Sequence, residues 1–481
     1  MKKKGHHLIS LLLLSALAAI QPVRGLARES PNPPASQALP PAPMPQVVPS
    51  QNSSPLPMGA QAPPTAPGAP LSLTLKQAEA LAMKDNPQIS AARLIALASR
   101  QVTREVRSAF WPTVTGNLTA VDAESGSRIT AGALNNPIIY ERAAAGAMVT
   151  QLITDFGHTA NLVSSANYMA KAENQNALAT KEQILLAVDT AFYNALQAQA
   201  VLAVAEQTVN ERQTVTNQVG ALFKSKLKSE LDYSFASVNL AQAQLLLLDA
   251  EGDKDATLAT LSMVLGYPSA QNFQLIEDAS PIAPPPGNVN DLIATAFSTR
   301  PEILSLQFQY QSARKFQTAE RDLLLPTISA VGAVGDTPVG NPAVAPSPSA
   351  LNNTYAAVGA NVAIPLFDGF LDTARAHEAK LRAQATEERL LDLRNLISRD
   401  VRASWLNANT GYQRLAVTQQ LVQQANLALN LAQSRYNLGL ASIVELSQAQ
   451  LQQTQAEISN AQAGYDYRLS LAVLTYQTTG I

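Results

Sequence analysis

Cysteine is absent from the 481-residue sequence, which excludes disulfide bonds, cysteine-ligated metal sites and an acylated N-terminal cysteine. Charge is scarce as well, because Lys, Arg, Asp and Glu make up only 15 % of the residues, and the net charge of −2 predicts no nucleic acid partner. Beyond residue 27, the sequence also lacks any apolar run near the ~20 residues that a transmembrane helix needs. If this is a membrane protein, β-strands must therefore be the elements that cross the bilayer.

Signatures of catalysis are missing too. The sequence contains no glycine-rich phosphate loop, no G-x-S-x-G nucleophile motif and no constellation of paired carboxylates. His158 and His377 have neither a cysteine nor a His-x-x-x-His partner, so we interpret both as ordinary polar residues. The sequence therefore predicts a protein that is not an enzyme and that has no cofactor and no metal site.

The N-terminal segment has the pattern of a secretory signal. Lys2–Lys4 precede the apolar stretch Leu8–Ile20, which is too short to span a bilayer, and small residues follow it. We predict a cleaved signal peptide over residues 1–27. The next segment, 28–70, carries fourteen of the thirty prolines. Because such a composition cannot bury enough apolar surface to order itself, we predict a disordered, extended tether there.

The rest of the chain repeats itself at an offset of 213 or 214 residues. Asn86-Pro87 recurs as Arg300-Pro301, and Trp111-Pro112 recurs as Leu325-Pro326. We predict an internal tandem repeat, with a first unit over residues 71–268, a linker over 269–288 and a second unit over 289–481.

The strongest match between the two units lies on two long helical segments. Apolar and small residues alternate there in steps of four and three, which is typical of a coiled-coil seam. The seam residues of the first unit are Ile184, Val188, Ala191, Ala195, Ala198, Leu202, Ala205 and Val209. Their counterparts are Ile397, Val401, Ser404, Ala408, Gly411, Leu415, Thr418 and Val422. An ordinary amphipathic helix would explain the period but not its recurrence.

Both units predict the same succession of elements. A helix of roughly 38 residues, interrupted at its proline, leads into two strands, and a helix of about 65 residues and a shorter return helix follow. The strands alternate apolar and polar residues and lie near residues 112–155 and 326–368. A 65-residue helix is ~100 Å long, so it matches two shorter antiparallel helices stacked end to end. The predicted fold class is an α+β membrane protein with long antiparallel coiled-coil helices and four strands per chain.

Four strands cannot close into a barrel alone, because the smallest bacterial barrels have about eight. Two or three chains must therefore share one barrel.

This layout resembles the TolC-like outer-membrane efflux proteins over about residues 71–481. The resemblance is carried by NPQI and RPEI before a helix, AFWPTVTG and DLLLPTISA entering strands, IPLFDG leaving them, and RYNLGLASIVELSQAQ at the distal turn. It implies a homotrimer with a shared twelve-stranded outer-membrane β-barrel in the lipid and a helical tunnel in the periplasm. It also implies that a periplasmic adaptor (membrane fusion) protein and an inner-membrane pump dock at the far end.

The resemblance further implies the outer-membrane channel, or duct, of a tripartite efflux or secretion system that exports small molecules or polypeptides. The alternative is a secreted or periplasmic coiled-coil structural protein without channel activity. That alternative explains the seams and the signal, but not four proline-bracketed strands placed alike in both units.

The two distal helix-to-helix turns, which we call the tips, are chemically unequal. Their residues are Lys224, Lys226, Leu227 and Lys228 in the first unit and Leu438, Gly439 and Leu440 in the second. Gly439 fits a helix C-cap that tolerates positive φ, but Lys226 stands at the matching place. The resemblance implies that the tips meet helical hairpins of the adaptor. The alternative is that the lysines only solvate a turn.

Return helices begin with capping-box patterns, Ser229-x-x-Asp232 in the first unit and Ser442-x-x-Glu445 in the second. The resemblance also implies an acidic constriction of the tunnel at this level, with Asp232 and Glu445 at acidic sites of the pattern. Glu445 is therefore interpreted either as a cap alone or as a cap that also belongs to a ring of carboxylates.

Neighbouring positions depart from the pattern of the family. Gln448 stands where a second aspartate is expected, which weakens the ring. Tyr436 retains an aromatic residue of the closing network, but Ala441 stands where a basic partner is expected. The predicted periplasmic aperture consists of Asp232, Glu445, Gln448 and Tyr436.

Overall fold

A computed structural model describes residues 71–122, 142–277, 282–339 and 354–479. The predicted signal peptide and tether, residues 1–27 and 28–70, lie outside the described residues. Among the described residues, none of the helices combines the length and the apolar character needed to cross a membrane.

The two halves of the chain follow one order of elements. The first half consists of β1 (Leu71–Leu73), α1 (Leu75–Asp85), α2 (Pro87–Arg107), β2 (Thr113–Val121), β3 (Arg142–Thr154), α3 (His158–Lys224) and α4 (Glu230–Val264). The second half consists of β4 (Phe273–Leu275), α5 (Val289–Thr299), α6 (Pro301–Asp322), β5 (Thr327–Val339), β6 (Thr354–Ala363), α7 (Leu371–Asn437) and α8 (Ile443–Thr479). Helices α3 and α7 each have 67 residues, close to the predicted length.

Strands β1 and β4 form a short parallel ladder that the sequence does not predict. Strand β4 lies inside the segment 269–288 that we predicted as a linker, and three residues give too short a pattern to be read as a strand. The repeat boundaries given above stay predictions.

The helix breaks lie where the prolines predict them. Pro87 and Pro301 each occupy the first turn of a new helix, where a missing N–H costs nothing. Asn86 caps α2 by accepting a hydrogen bond from the Gln88 N–H, and its side-chain amide donates to the Val264 carbonyl 2.9 Å away. This residue therefore joins the break between α1 and α2 to the end of α4.

The coiled-coil seams are on the packed faces of α3 and α7. None of the sixteen predicted seam residues is exposed, and Val188, Ala195, Val401 and Ala408 are fully buried. Small residues let the helix axes approach closely: a Cβ added at Gly411 would lie 3.3 Å from the ring of Tyr467 on α8. The predicted helical coiled coil is confirmed.

The helices lie side by side in an open layer. Helix α3 packs against α2, α4, α6 and α8, and α7 packs against α6 and α8, while α4 also contacts α8. In each half, one long helix thus lies beside two shorter ones, as the lengths predict.

Beyond one end of the helices, four antiparallel strands form a sheet in the order β2-β3-β5-β6. The edges β2 and β6 have no partner within the described chain, and both are almost entirely exposed. The registers align Val114 with Val149, Gly332 and Val358, so these residues share one face of the sheet. The apolar–polar alternation predicted for β2 therefore places Val114 and Leu118 on that face and the threonines of the strand on the other.

Matching residues cap the long helices where the chain leaves the sheet. A carboxylate oxygen of Asp155 accepts from the Thr159 N–H, and one of Asp368 accepts from the Asp372 N–H, both at 2.7 Å. Each aspartate supplies an acceptor and a negative charge to the start of a 67-residue helix. The chain thus enters α3 and α7 in the same way.

Candidate tunnel aperture and tip turns

The two tips share one backbone conformation. The N–H of Leu227 donates to the Leu222 carbonyl, and that of Leu440 donates to the Arg435 carbonyl, both at 2.8 Å. These long turn bonds close Schellman motifs, whose penultimate residue is left-handed. That residue is Gly439 in the second tip, at φ +75°, and Lys226 in the first, at φ +61°. The C-cap predicted at Gly439 is confirmed, and Lys226 adopts the same conformation without the freedom of glycine.

Most tip side chains point to solvent. Leu227, Leu438 and Leu440 are 71 %, 74 % and 68 % exposed. Lys224 and Lys226 are exposed as well. Lys228 differs from them, because its Nζ lies 3.9 Å from the ring centroid of Tyr436, a cation–π distance. The tips thus present three leucines and two free lysines, while the third lysine is held inward.

A single apolar cluster joins the two hairpins behind the tips. It brings together residues of α3, α4, α7 and α8, namely Val219, Ala236, Ala432, Tyr436, Ile443, Leu446 and Ala449. Tyr436 is the largest side chain of this cluster and is buried, but its hydroxyl has no hydrogen-bond partner among the described residues. Burial, and then the negative charge of Asp232, raise the pKa of Tyr436. Of the predicted aperture residues, Asp232 and Tyr436 therefore lie close to one another.

The capping box predicted at Ser229 is complete. Its hydroxyl accepts from the Asp232 N–H at 3.1 Å, and the Asp232 carboxylate accepts from the Ser229 N–H at 3.0 Å. Asp232 is thus a helix cap that also faces Tyr436.

At Ser442, the structure corrects the prediction, since only half of the box forms. The Ser442 hydroxyl accepts from the Glu445 N–H at 3.3 Å. The Glu445 carboxylate, however, pairs with Arg435, with 3.3 Å between Oε1 and Nε. Arg435 ends α7 and Glu445 begins α8, so the turn brings opposite charges together. Arg435 is thus the basic partner of Glu445 within this turn.

Glu445 and Gln448 lie three residues apart on α8 and are both exposed, so they share one helix face. Asp232 occupies the matching first turn of α4. The structure therefore gathers the four predicted aperture residues behind the tips, but as two pairs: Asp232 with Tyr436, and Glu445 with Gln448.

One functional candidate was missed by the sequence analysis. Arg212 of α3 is only 5 % exposed, and its Nη2 donates to the Gln450 carbonyl at 2.8 Å and to Thr454 Oγ1 at 3.0 Å, both on α8. Burial lowers the pKa of Arg212, while Glu211 and Glu457 oppose that change. The seam pattern ends at Val209, and a single arginine beyond it looks like a solvated residue; only its place in the buried i, i+4 series Thr208, Arg212 and Thr216 could have revealed it.

No group of three His, Cys, Asp or Glu side chains placed to hold a metal ion occurs within the ranges that the structure describes. His158 Nδ1 lies 2.8 Å from the Ala319 carbonyl, a contact that fits the role of an ordinary polar residue.

Long helical hairpins that end in an open antiparallel sheet are the architecture that the resemblance to the TolC-like outer-membrane channels implies. Residues 80–267 and 292–478 match the family described as Outer membrane efflux protein. Because these segments make up more than half of the sequence, the chain belongs to the outer membrane efflux protein family. The TolC-like resemblance is confirmed, and so is the predicted localisation in the outer membrane with a periplasmic helical domain. The family consists of channels rather than enzymes.

Individual relatives are distant. The outer membrane protein TolC of Salmonella enteritidis is 24 % identical over 194 residues, which span 40 % of this chain and 40 % of that relative. Among solved structures, CusC has a TM-score of 0.73 at 16 % identity, covering 85 % of this chain and 92 % of its own. The outer membrane protein VceC of Vibrio cholerae has a TM-score of 0.70 at 16 % identity, with coverages of 84 % and 96 %. The MtrE outer membrane channel of Neisseria gonorrhoeae has a TM-score of 0.68 at 19 % identity, with coverages of 84 % and 88 %. These likenesses establish the fold.

Proposed function

We propose that the protein is the outer-membrane duct of a tripartite efflux or secretion system, through which small molecules or polypeptides leave the cell. The single observation that carries this proposal is the sheet, because its two edge strands β2 and β6 are long, exposed and unpaired within the described chain. An unpaired edge is a template for another chain. Strand β6 of one chain pairs with β2 of the next, and the family resemblance selects three chains and hence twelve strands.

One face of the sheet suits lipid. Val114, Leu118, Val334, Val358 and Val362 are all exposed there, since the strand registers align them on the same side. Apolar residues on the outer face are what a barrel wall needs in a bilayer.

Aromatic side chains lie at the end of the sheet where the strands join the helices. Phe110, Trp111, Phe156, Phe367 and Phe370 are exposed at the passages between strands and helices. Phe156 and Phe370 even adopt left-handed backbone conformations, at φ +54° and +69°. Aromatic residues favour the level of the lipid headgroups, so this belt separates the membrane part from the periplasmic part.

At the other end, the tips provide the docking surface for a periplasmic adaptor protein, which connects the duct to an inner-membrane pump. The exposed leucines and the free lysines Lys224 and Lys226 support this assignment, because exposed apolar residues beside charges are typical of interaction surfaces. Leu227, Lys228, Leu438, Gly439 and Leu440 complete the proposed docking surface.

Just behind the tips, Asp232, Tyr436, Glu445 and Gln448 form the proposed periplasmic aperture. Three copies of Asp232 and Glu445 around one axis would give a ring of negative charge, which attracts cations to a narrow bore. Neutral Gln448 makes this ring weaker than one with a further acidic position.

The number of chains tests the proposal. We expect native mass spectrometry of the detergent-purified protein to give three times the mass of one mature chain. A monodisperse monomer or dimer would contradict the shared barrel. The structural-protein alternative would be favoured by a protein recovered from the soluble periplasm.

A further inference from the structure

Each half of the chain carries an exposed arginine in the last turn of the helix that leads into the sheet. These residues are Arg107 of α2 and Arg321 of α6, which lie 214 residues apart, one of the two offsets of the tandem repeat. An exposed apolar pair and a proline follow each arginine, Phe110-Trp111-Pro112 in the first half and Leu324-Leu325-Pro326 in the second. We call the two segments from arginine to proline the collar segments.

Both guanidinium groups are accessible to an external partner. Arg107 is exposed, and none of the ion pairs in the described part of the chain involves it. The side chain of Arg321 is 71 % exposed and approaches Oδ1 of Asp322 at 3.6 Å. The other carboxylate oxygen of Asp322 accepts a hydrogen bond from Asn161 of α3 at 2.9 Å. Because such an exposed ion pair contributes little, an anion that approaches Arg321 meets little competition.

The recurrence of these arginines is unusual within the repeat. From Pro87 to Pro112, only five residues are identical 214 positions later, and two of the five are arginines, Arg100 and Arg107. Packing constrains the identity of buried residues, but both of these arginines are exposed. A cation also stabilises the end of a helix, and this is the structural alternative for Arg107 and Arg321. A contact outside the chain is the second reason for an exposed arginine to recur.

The collar segments lie where the sheet meets the helices. Strands β2 and β5 begin directly after the two prolines, so each arginine precedes the first strand residue by six positions. Phe110 and Trp111 belong to the aromatic belt proposed above for the level of the lipid headgroups. The arginines therefore lie on the periplasmic side of this belt, and their long side chains can extend towards the headgroups.

We propose that the two collar segments are binding sites for the phosphate groups of phospholipids in the periplasmic leaflet, with a preference for lipids of net negative charge. In each site the arginine pairs with the phosphate, and the apolar pair contacts the acyl chains. Three chains would carry six such sites around the barrel. This inference rests on the proposed shared barrel but not on conduction, and it adds a lipid ligand that fixes the level of the barrel in the membrane.

The chemistry of the headgroups explains the preference. A guanidinium group binds two phosphate oxygens at once through its parallel N–H donors. The headgroup of phosphatidylethanolamine carries an ammonium group, which competes with the arginine for the phosphate. Phosphatidylglycerol has no such cation, so its phosphate keeps a full negative charge for the arginine. The collar segments should therefore discriminate between these two lipids, although both have the same acyl chains.

Native mass spectrometry of the detergent-purified trimer tests the proposal, with phosphatidylglycerol or phosphatidylethanolamine of the same acyl chains added. We expect the wild type to bind phosphatidylglycerol about fivefold more tightly, the effect of one arginine near an anionic lipid surface. The double variant Arg107→Gln, Arg321→Gln should bind the two lipids equally. A preference for phosphatidylglycerol that is unchanged in this variant would overturn the proposal.

Arg93 and Arg314 offer a matched control on the same two helices. Both are exposed, and they lie fourteen residues before Arg107 and seven residues before Arg321, which is ~21 Å and ~10 Å along a helix. The double variant Arg93→Gln, Arg314→Gln loses the same charge further from the sheet. We expect it to keep the preference for phosphatidylglycerol. An equal loss in both double variants would mean unspecific attraction by the whole helix face and would reject the collar sites.

A lysine variant separates lipid binding from the stabilisation of the helix ends. Arg107→Lys, Arg321→Lys keeps both positive charges, so it should retain a preference for phosphatidylglycerol that the glutamine variant lacks. If the arginines serve only the helix ends, the glutamine variant should lower the unfolding midpoint of the trimer without changing the lipid preference. That result would reject the lipid sites.

The same spectra separate the failure of this inference from the failure of the proposed function. A wild-type trimer that binds the two lipids equally would reject the lipid sites and leave the shared barrel standing. A wild-type protein that forms no trimer would reject the barrel, and the lipid sites with it.

Discussion

Lys226 is a residue whose conformation costs stability. It lies at φ +61°, where a Cβ strains the backbone by about 1–2 kcal/mol, and glycine avoids that strain at some cost in chain entropy. We expect Lys226→Gly to stabilise the tip by about 1 kcal/mol, measured as a higher unfolding midpoint of the trimer. Lys226→Ala, which removes the charge but keeps the Cβ, should give no such gain.

The same two variants decide what the lysine does. If the first tip docks an adaptor through its positive charge, both variants should lower efflux by intact cells although only one is more stable. Efflux that stays at the wild-type level in both would mean that Lys226 only solvates the turn.

Glu445 is interpreted either as a helix cap alone or as a cap that also belongs to a ring of carboxylates, and a substitution can separate these two interpretations. Glutamine can still accept hydrogen bonds but carries no charge, so Glu445→Gln should leave the fold intact while lowering the cation preference and the block by multivalent cations in bilayer recordings. Asp232→Asn should act in the same direction, and the double variant more strongly.

Arg435→Gln is the control for Glu445, because it breaks the same ion pair but leaves the carboxylate. If the carboxylate faces the bore, this variant should raise the cation preference. Equal changes in both variants would show that Glu445 serves only to hold the turn.

At the scale of elements, helix α3 carries two acids whose pKa values are influenced by acids of other helices. Burial, and then Glu79 of α1, raise the pKa of Asp189 to about 7. Burial, and then Glu302 of α6, raise the pKa of Glu182 to about 7 as well, although Arg300 and Lys181 oppose this. Helix α3 thus has like charges facing it from one helix of each half.

These raised pKa values predict a pH dependence of stability. Both acids bind protons more tightly in the folded chain than in the unfolded one, so their ionisation destabilises the fold as the pH rises from about 4 through about 7. We expect the unfolding midpoint of the helical domain to fall over this window. Asp189→Asn mimics the protonated form and should flatten the fall, being strongly stabilising at pH 8, less so at pH 5 and near neutral only below about pH 4; a midpoint that rises with pH would contradict the assignment.

The elements that the sequence predicts best are those with repeated signals. Sixteen seam positions and two Asn-Pro or Arg-Pro breaks determine the helices, because each signal occurs twice. The sequence misses β4, whose three residues are too few for a period, and it predicts a full capping box at Ser442, where Arg435 competes for the carboxylate. The sequence does not predict the buried contacts of Arg212, because its hydrogen-bond partners lie more than two hundred residues away along the chain.

At the scale of the whole molecule, the two halves are alike in their elements and unlike at their tips. Helices α3 and α7 have the same length, so both tips reach the same level of the layer. One tip ends in lysines and the other in leucines. In a trimer, six tips would alternate between these two chemistries around the tunnel mouth, which gives an adaptor two kinds of contact to recognise.

Ion conduction tests the central claim most directly. We expect the purified wild-type trimer, reconstituted in a planar bilayer, to conduct ions in discrete steps, with a preference for cations that arises from Asp232 and Glu445. A wild-type trimer that is shown to be inserted in the bilayer but passes no current would contradict the account of this protein as a duct.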